Sequence, residues 1–280
     1  MGSEEQATAR FVLPATGEAI EILPESLIEA EVIYREIFED GIYSKHGLLV
    51  RPGDVVLDVG ANIGMFCLYL AYSTACTLPT SAAQRPVTYY GFEALPPVFE
   101  VLQRNVAQLA VDGGGGKPNV VKVQALQNVA LGDRVSSGVA CTLFPRHPGN
   151  STLNPEERLR MQRGIVDPYY FEGATQYMVP MRTLSDILDT EGIGCVDLLK
   201  VDVEGAELMV LKGIQDVHWS RIWQVVVEVP DVDEEVNNGD KILSVKRVLL
   251  VTQLLKKHGF QVIEEFDPNG KNYMVYAKHL

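Results

Sequence analysis

Short β-branched runs alternating with helical stretches constrain this chain more than any other feature. "VVLDV" at 55–59 passes through a glycine-bearing turn into a helical pattern at about Ile63–Tyr72. "VTYYGFE" at 87–93 leads to a second helix at about Pro96–Leu109, and "NVVKVQAL" at 119–126 reads as a third strand. Further on, "CVDLLKVDV" and "IWQVVVEV" read as strands flanking a helix at about Ala206–Lys212. Strands that alternate with helices form a parallel sheet covered on both faces, so the strands are apolar throughout. The end of the chain departs from this rhythm. A helix over about Lys241–His258 stops at Gly259, a residue suited to the left-handed conformation past a helix end. "FQVIEEF" and "NYMVYAKHL", joined by Asp267-Pro-Asn-Gly270, read as a β-hairpin. The expected fold is an α/β three-layer sandwich with a mostly parallel seven-stranded sheet and a C-terminal antiparallel hairpin.

A length of 280 residues suits one domain with a modest extension. The extension is residues 1–50, expected as an N-terminal cap over the site of the domain at 51–280. Its apolar runs are Phe11–Leu13 and Ala19–Leu23, followed by a helix over about Ser26–Asp40 with Ser26 as N-cap and Glu29 three residues on. Ser73–Pro86 and Asp112–Pro118 read as surface insertions, and residues 141–180 show no regular period.

Net charge is −13, and no dense Lys/Arg run offsets it, so no nucleic-acid partner is expected. No apolar segment reaches the ~18 residues of a membrane span, and the acidic start "MGSEEQATAR" lacks the order of a secretory signal. A cytoplasmic protein is expected. The four cysteines form no CxxC pair and are expected as buried reduced thiols.

The turn in "VVLDVGANIGMF" carries chemistry. A glycine there lets backbone approach a ligand, and the helix behind it offers unpaired N–H donors. A dinucleotide fingerprint beginning at Gly60 requires glycine at 62 and 65; this chain has Asn62 and Met65, with its second glycine at Gly64. Gly60-x-Asn62-x-Gly64, with Asp58 two residues ahead, instead resembles the first motif of class I S-adenosylmethionine (SAM) methyltransferases. That resemblance puts Asp58 near the charged end of the cofactor. Glu93, closing the second strand, can accept both ribose hydroxyls of a nucleoside cofactor, or simply cap the next helix. After the third strand, "LQNVALGD" places Asn128 and Ala130 where such folds hold the adenine ring; Asn128 reads nearly as well as an ordinary turn residue.

Three motifs together, "VLDVGANIG", "FEALPPVFEVLQRNV" and "LLKVDVEGAELMVLKGI", resemble the FkbM-type methyltransferase family. The resemblance runs from about Arg51 to Val229 and is weakest over residues 1–40. One departure is Ala94, where the family often has proline. The resemblance implies a Rossmann-like fold with SAM as cofactor. It also implies O-methylation of a small-molecule hydroxylated acceptor: a polyketide, a glycosylated product or a lipid-linked sugar.

Ligands of open α/β sheets bind at the carboxyl ends of the strands, which nominates Asp202, Glu204 and Glu228 as catalytic candidates. Alternation puts Lys200, Asp202 and Glu204 on one side, and a buried lysine must be paired, here expectedly with Asp202 or Glu228. Glu207 falls in the first turn of the next helix, where a negative charge is favoured. Asp202 has two readings: contact with the SAM amino group or the acceptor, or ligation of a divalent metal such as Mg, with Glu228 as second ligand. His46, with Tyr43, would line the site from the cap. His147, in "FPRHPGNSTL" with Arg146, Asn150 and Ser151, would line it from a loop. His218, His258 and His279 are assigned to the surface. The competing readings are a SAM-dependent enzyme acting on RNA or protein, and a non-catalytic SAM-binding module.

Overall fold

The computed structural model describes residues 8–77, 85–111, 120–238, 241–268 and 271–279. A hairpin of β1 (Ala9–Val12) and β2 (Ala19–Ile22) leads into α1 (Leu27–Tyr34), and then β3 (Val55–Val59), α2 (Met65–Thr77), β4 (Val87–Glu93), α3 (Pro96–Val111) and β5 (Val121–Asn128) follow in alternation. Next come β6 (Ala130–Leu131), β7 (Ser136–Leu143), α4 (Pro155–Gln162), β8 (Thr175–Arg182) and α5 (Leu184–Thr190). The chain continues with β9 (Leu198–Val201), α6 (Glu207–Lys212), β10 (Gln224–Pro230), β11 (Asp233–Asn238), β12 (Lys241–Lys246) and α7 (Arg247–Lys257), and closes with β13 (Gln261–Asp267) and β14 (Asn272–Lys278).

The main sheet has seven strands in the order β13-β14-β10-β9-β3-β4-β5. β14 pairs antiparallel with both β10 and β13, so it alone runs against the rest. The expected mostly parallel sheet with its terminal hairpin is therefore present. Alternation sorts each strand's side chains between two cores. Val56, Leu198 and Val226 pack with α2, α3 and the N-terminal segment, including Phe11, Ile20, Tyr34 and Leu48. Leu57, Leu199 and Val225 pack with α5, α6 and α7 on the opposite face. These are the three layers of the sandwich, and residues 8–50 share the first core with the sheet. Among the described residues no helix is long and apolar enough to cross a membrane.

Several local expectations are corrected. The helix expected over Lys241–His258 begins only at Arg247; "KILSVK" is instead β12, paired with β11 and anchored by Lys246 to Asp231 at 2.8 Å and to Asp233 at 3.3 Å. Its β-branched Ile242 and Val245 favour that extended form. The stretch 141–180 holds structure: β7 and β8 form, with β6, a second sheet of order β6-β8-β7. A register shift between Ser136 and Val139 and the exposed positions of β8, with Met178 69% accessible, blur its period. Ser26 does not cap α1, because its hydroxyl turns back to the Leu23 carbonyl at 2.8 Å. That helix continues into one π-type turn at Arg35–Glu39. Ser73–Thr77 belongs to α2, whereas residues 78–84 and the expected insertion at 112–118 lie outside the described residues. Cys67 and Cys141 are buried, but Cys76 and Cys195 are exposed. His218 is not a surface residue: it is 2% accessible and bonded to Ser185 and Asp189.

Candidate cofactor and acceptor site

The carboxyl ends of β3, β4 and β9 open into a cleft of about 670 Å³ of empty volume. Its lining includes Gly60, Asn62, Glu93, Ala130, Pro148, Gly149, Ser151–Leu153, Asp202 and Glu204. The turn after β3 is folded tightly. Gly60 (φ +80°) and Ala61 both donate to the Phe92 carbonyl at 3.0 Å. A Cβ at Gly60 would stand 1.8 Å from the Asp202 carbonyl oxygen, so only glycine fits. Gly64 (φ +90°) lets α2 close on Leu102 and Val106 of α3. Asn62 holds a left-handed conformation (φ +48°), and its buried Oδ1 has no hydrogen-bond partner.

Glu93 ties the glycine turn to the end of β4: one carboxylate oxygen accepts from Asn62 N–H and the other from Leu95 N–H, each at 3.0 Å. Burial pushes its pKa up to about 7 against those bonds. Asn128 does not line the cleft; its amide donates to the Glu93 and Ala94 carbonyls at 2.9 and 2.8 Å and pins the end of β4. Ala130 does line it. A nucleoside cofactor fits this wall: a backbone cradle that a side chain would fill, an acid with further lone pairs, and an orphaned amide oxygen.

Beneath the cleft lies a buried polar cluster. Lys200 is 2% accessible; it pairs with Asp202 at 3.7 Å, as expected, and more closely with Asp58 at 2.9 Å, which was not expected. No Lys200–Glu228 ion pair forms among the described residues. Lys200 also donates to the Gly60 carbonyl at 2.9 Å. Burial acts to strip its proton, but Asp58 and Asp202 outweigh that and raise its pKa. Asp58, fully buried and held by the Tyr89 hydroxyl at 2.6 Å, does not reach the cleft. It therefore supports the glycine loop through Lys200 rather than meeting the cofactor's charged end. Tyr89 was not singled out from the sequence. The signal lay in "VTYYGFE", where alternation puts Tyr89, Gly91 and Glu93 on one side, and a Cβ at Gly91 would meet the Tyr89 ring at 2.9 Å.

The opposite wall, at Asp202 and Glu204, is backed by side chains from distant segments. Tyr43 donates to Asp202 Oδ2 at 2.6 Å. Glu204, at φ +54°, pairs with Arg158 of α4 at 2.8 Å, and its carbonyl accepts from Thr152 at 2.6 Å. Burial, opposed by Arg158, pushes Glu204 up to about 8. Arg158 is a further residue that sequence reasoning missed, since "EERLRM" reads as a solvated helix face. His147 is not in the cleft wall; it contacts Glu29, which also accepts from Gly149 N–H at 2.8 Å. His46 lies away from the cleft, on Glu265 at 2.7 Å. Glu228 accepts from Asn272 at 2.5 Å, and burial raises it well above the usual carboxylate range. Glu207 begins α6, as expected, and accepts from Gly205 N–H at 2.7 Å.

A divalent metal does not fit Asp202 and Glu228. Asp202 is tied to a phenol and flanked by an ammonium, Glu228 is tied to an amide, and no group of three or more metal-capable side chains occurs among the described residues.

Comparison with known proteins agrees with this geometry. Residues 58–262 match the model of the methyltransferase FkbM domain. The chain is 34% identical over 257 residues to the 31-O-demethyl-FK506 methyltransferase FkbM of Streptomyces tacrolimicus, covering 86% of this chain and 85% of that one. It is 38% identical over 221 residues to methyltransferase sdnD of Sordaria araneosa (72% and 76% covered) and 35% over 265 residues to methyltransferase 1 of Beauveria bassiana (91% and 92%). The chain belongs to the FkbM methyltransferase family and is a SAM-dependent methyltransferase.

Proposed function

We propose that the protein transfers the methyl group of SAM to a hydroxyl of a neutral small-molecule acceptor, with Asp202 taking the proton. The carrying observation is the place of Asp202. It lines the cleft at the end of β9 with Oδ2 bonded to Tyr43, while Oδ1 has no partner among the described residues. Bound SAM supplies the methyl group and takes the C–S electron pair, leaving S-adenosylhomocysteine. The acceptor's O–H proton passes to the Asp202 carboxylate as its oxygen forms the new O–C bond. Positioned general bases contribute about 10²–10⁴-fold to such steps.

Charge supports a neutral acceptor. No Lys or Arg is among the described residues that line the cleft, and the nearby Lys200 and Arg158 are both committed to acids, so an anionic acceptor would meet no free cation among the described residues there. The relative named for 31-O-demethyl-FK506 acts, by that name, on a compound lacking one O-methyl group. A natural-product acceptor of that class fits this chain, with residues 8–50 closing the acceptor side. Methyl-labelled SAM is offered with 31-O-demethyl-FK506, hydroxylated polyketides, sugars and phenols, and separately with RNA and protein. Label is expected on a hydroxyl, and Asp202→Asn is expected to lose about 10²–10⁴-fold in turnover while still binding SAM. Label appearing only on RNA or protein, or an Asp202→Asn variant of full activity, sinks this reading.

A further inference from the structure

We propose that Tyr43 is a positioning residue for methyl transfer: its hydroxyl occupies Oδ2 of Asp202 and so presents Oδ1 to the acceptor. The inference rests on Asp202 as the base but does not follow from it, because Tyr43 is absent from the cleft wall. It acts only through the carboxylate. Three observations carry it.

The first is the bond itself, 2.6 Å, the short range of a hydroxyl donating to a carboxylate. The second is how firmly the phenol is held. Tyr43 is 6% accessible, its ring meets Phe66 edge-on at 5.2 Å, and the Lys200 ammonium lies 5.0 Å from its centroid. Burial first, then the charge of Asp202, keep the phenol protonated well beyond its ordinary range, so it remains a donor. The third is the backbone that delivers it. The π-type turn ends with Asp40 N–H on the Arg35 carbonyl, Ile42 N–H reaches back to Glu36, and the following turn closes from Ser44 N–H to Gly41, itself at φ +60°. Such π-type turns recur at functional sites, and this one aims a side chain across 159 residues of sequence. A carboxylate rotates freely about its last bond unless one oxygen is fixed; here Tyr43 fixes it, with Lys200 beside the same oxygen.

Asp202 is faced by Tyr43 and Glu36 from the N-terminal segment, Asp58 and Lys200 from the strands, Glu204 and Glu207 from the turn beyond β9, and Glu228 from β10. Of these, Tyr43→Phe removes one hydroxyl and leaves every charge and the ring packing in place, so the fold survives. The test uses the full chain with its aspartate side-chain carboxyls labelled with ¹³C, and Asp202→Asn identifies the resonance. In Tyr43→Phe that resonance is expected to change its chemical shift at fixed pH, because the hydroxyl that donates to Oδ2 is gone. An unmoved resonance overturns the proposal, whichever acceptor the enzyme uses. With 31-O-demethyl-FK506 as probe, Tyr43→Phe is expected to lose about tenfold in kcat with the KM for SAM unchanged, and to add nothing in an Asp202→Asn background. Full activity of Tyr43→Phe beside a crippled Asp202→Asn overturns the positioning role alone, whereas full activity of Asp202→Asn removes the base itself.

Discussion

The two walls of the cleft are built on different principles. The cofactor wall is a backbone object: Gly60, Ala61 and Asn62 are held by main-chain bonds to the neighbouring strand end and by Glu93. The acceptor wall is a side-chain object. Tyr43, Arg158 and Thr152 reach Asp202 and Glu204 from elements that are remote in sequence. A wall made of backbone tolerates few substitutions but little variety; a wall made of side chains can be recut for different acceptors while the methyl donor stays the same.

That contrast is open to attack. The largest effect is expected from Gly60→Ala, whose added methyl falls 1.8 Å from the Asp202 carbonyl oxygen. Calorimetric titration should show SAM affinity reduced by about 100-fold or more. Unimpaired binding would mean that the loop is not the cradle. A smaller and opposite signature is expected from Arg158→Met. It strips Glu204 of its cation and frees Asn150, so turnover should fall by about tenfold while SAM affinity stays within about twofold. Equal losses in both would show that the walls are not separable. The mildest test concerns Glu207, 1% accessible beneath the turn where the walls meet. Burial raises it from 4.5 to about 7, so it holds its proton more tightly when folded. The stability this contributes is complete below about pH 4.5 and is lost as pH rises through about 7. Thermal melts of the ligand-free protein should fall across that window, and Glu207→Gln should flatten the fall by a few degrees; a slope identical to wild type would remove Glu207 from the account.

The same contrast explains what could be read from the sequence. Strand–turn–helix periodicity and glycine spacing are local, and they led correctly to the sheet, its terminal hairpin and the family. Lys200 was legible as a buried lysine needing an acid, but its partner Asp58 stands 142 residues away, and only the β3–β9 register, Asp58 opposite Lys200, brings them together. Arg158 is invisible for the same reason. The β6–β8–β7 sheet failed to show because β8 alternates only near its end and β7 closes on three consecutive buried residues. "KILSVK" misled because it runs straight into the genuine helix at Arg247. His46 and His147 drew attention as residue types suited to catalysis, yet each is satisfied by a glutamate away from the cleft wall.

β14, late in the chain, lies inside the sheet rather than at its border, between β10 and β13. Folding of a growing chain therefore cannot complete the sheet in sequence order. Until residues 272–278 emerge, Val225–Val229 present an apolar strand with one flank unpaired, ready to accept another chain's strand. A chain truncated after Asp267 would leave that flank open for good, turning a strand edge that the native fold covers into a seed for aggregation.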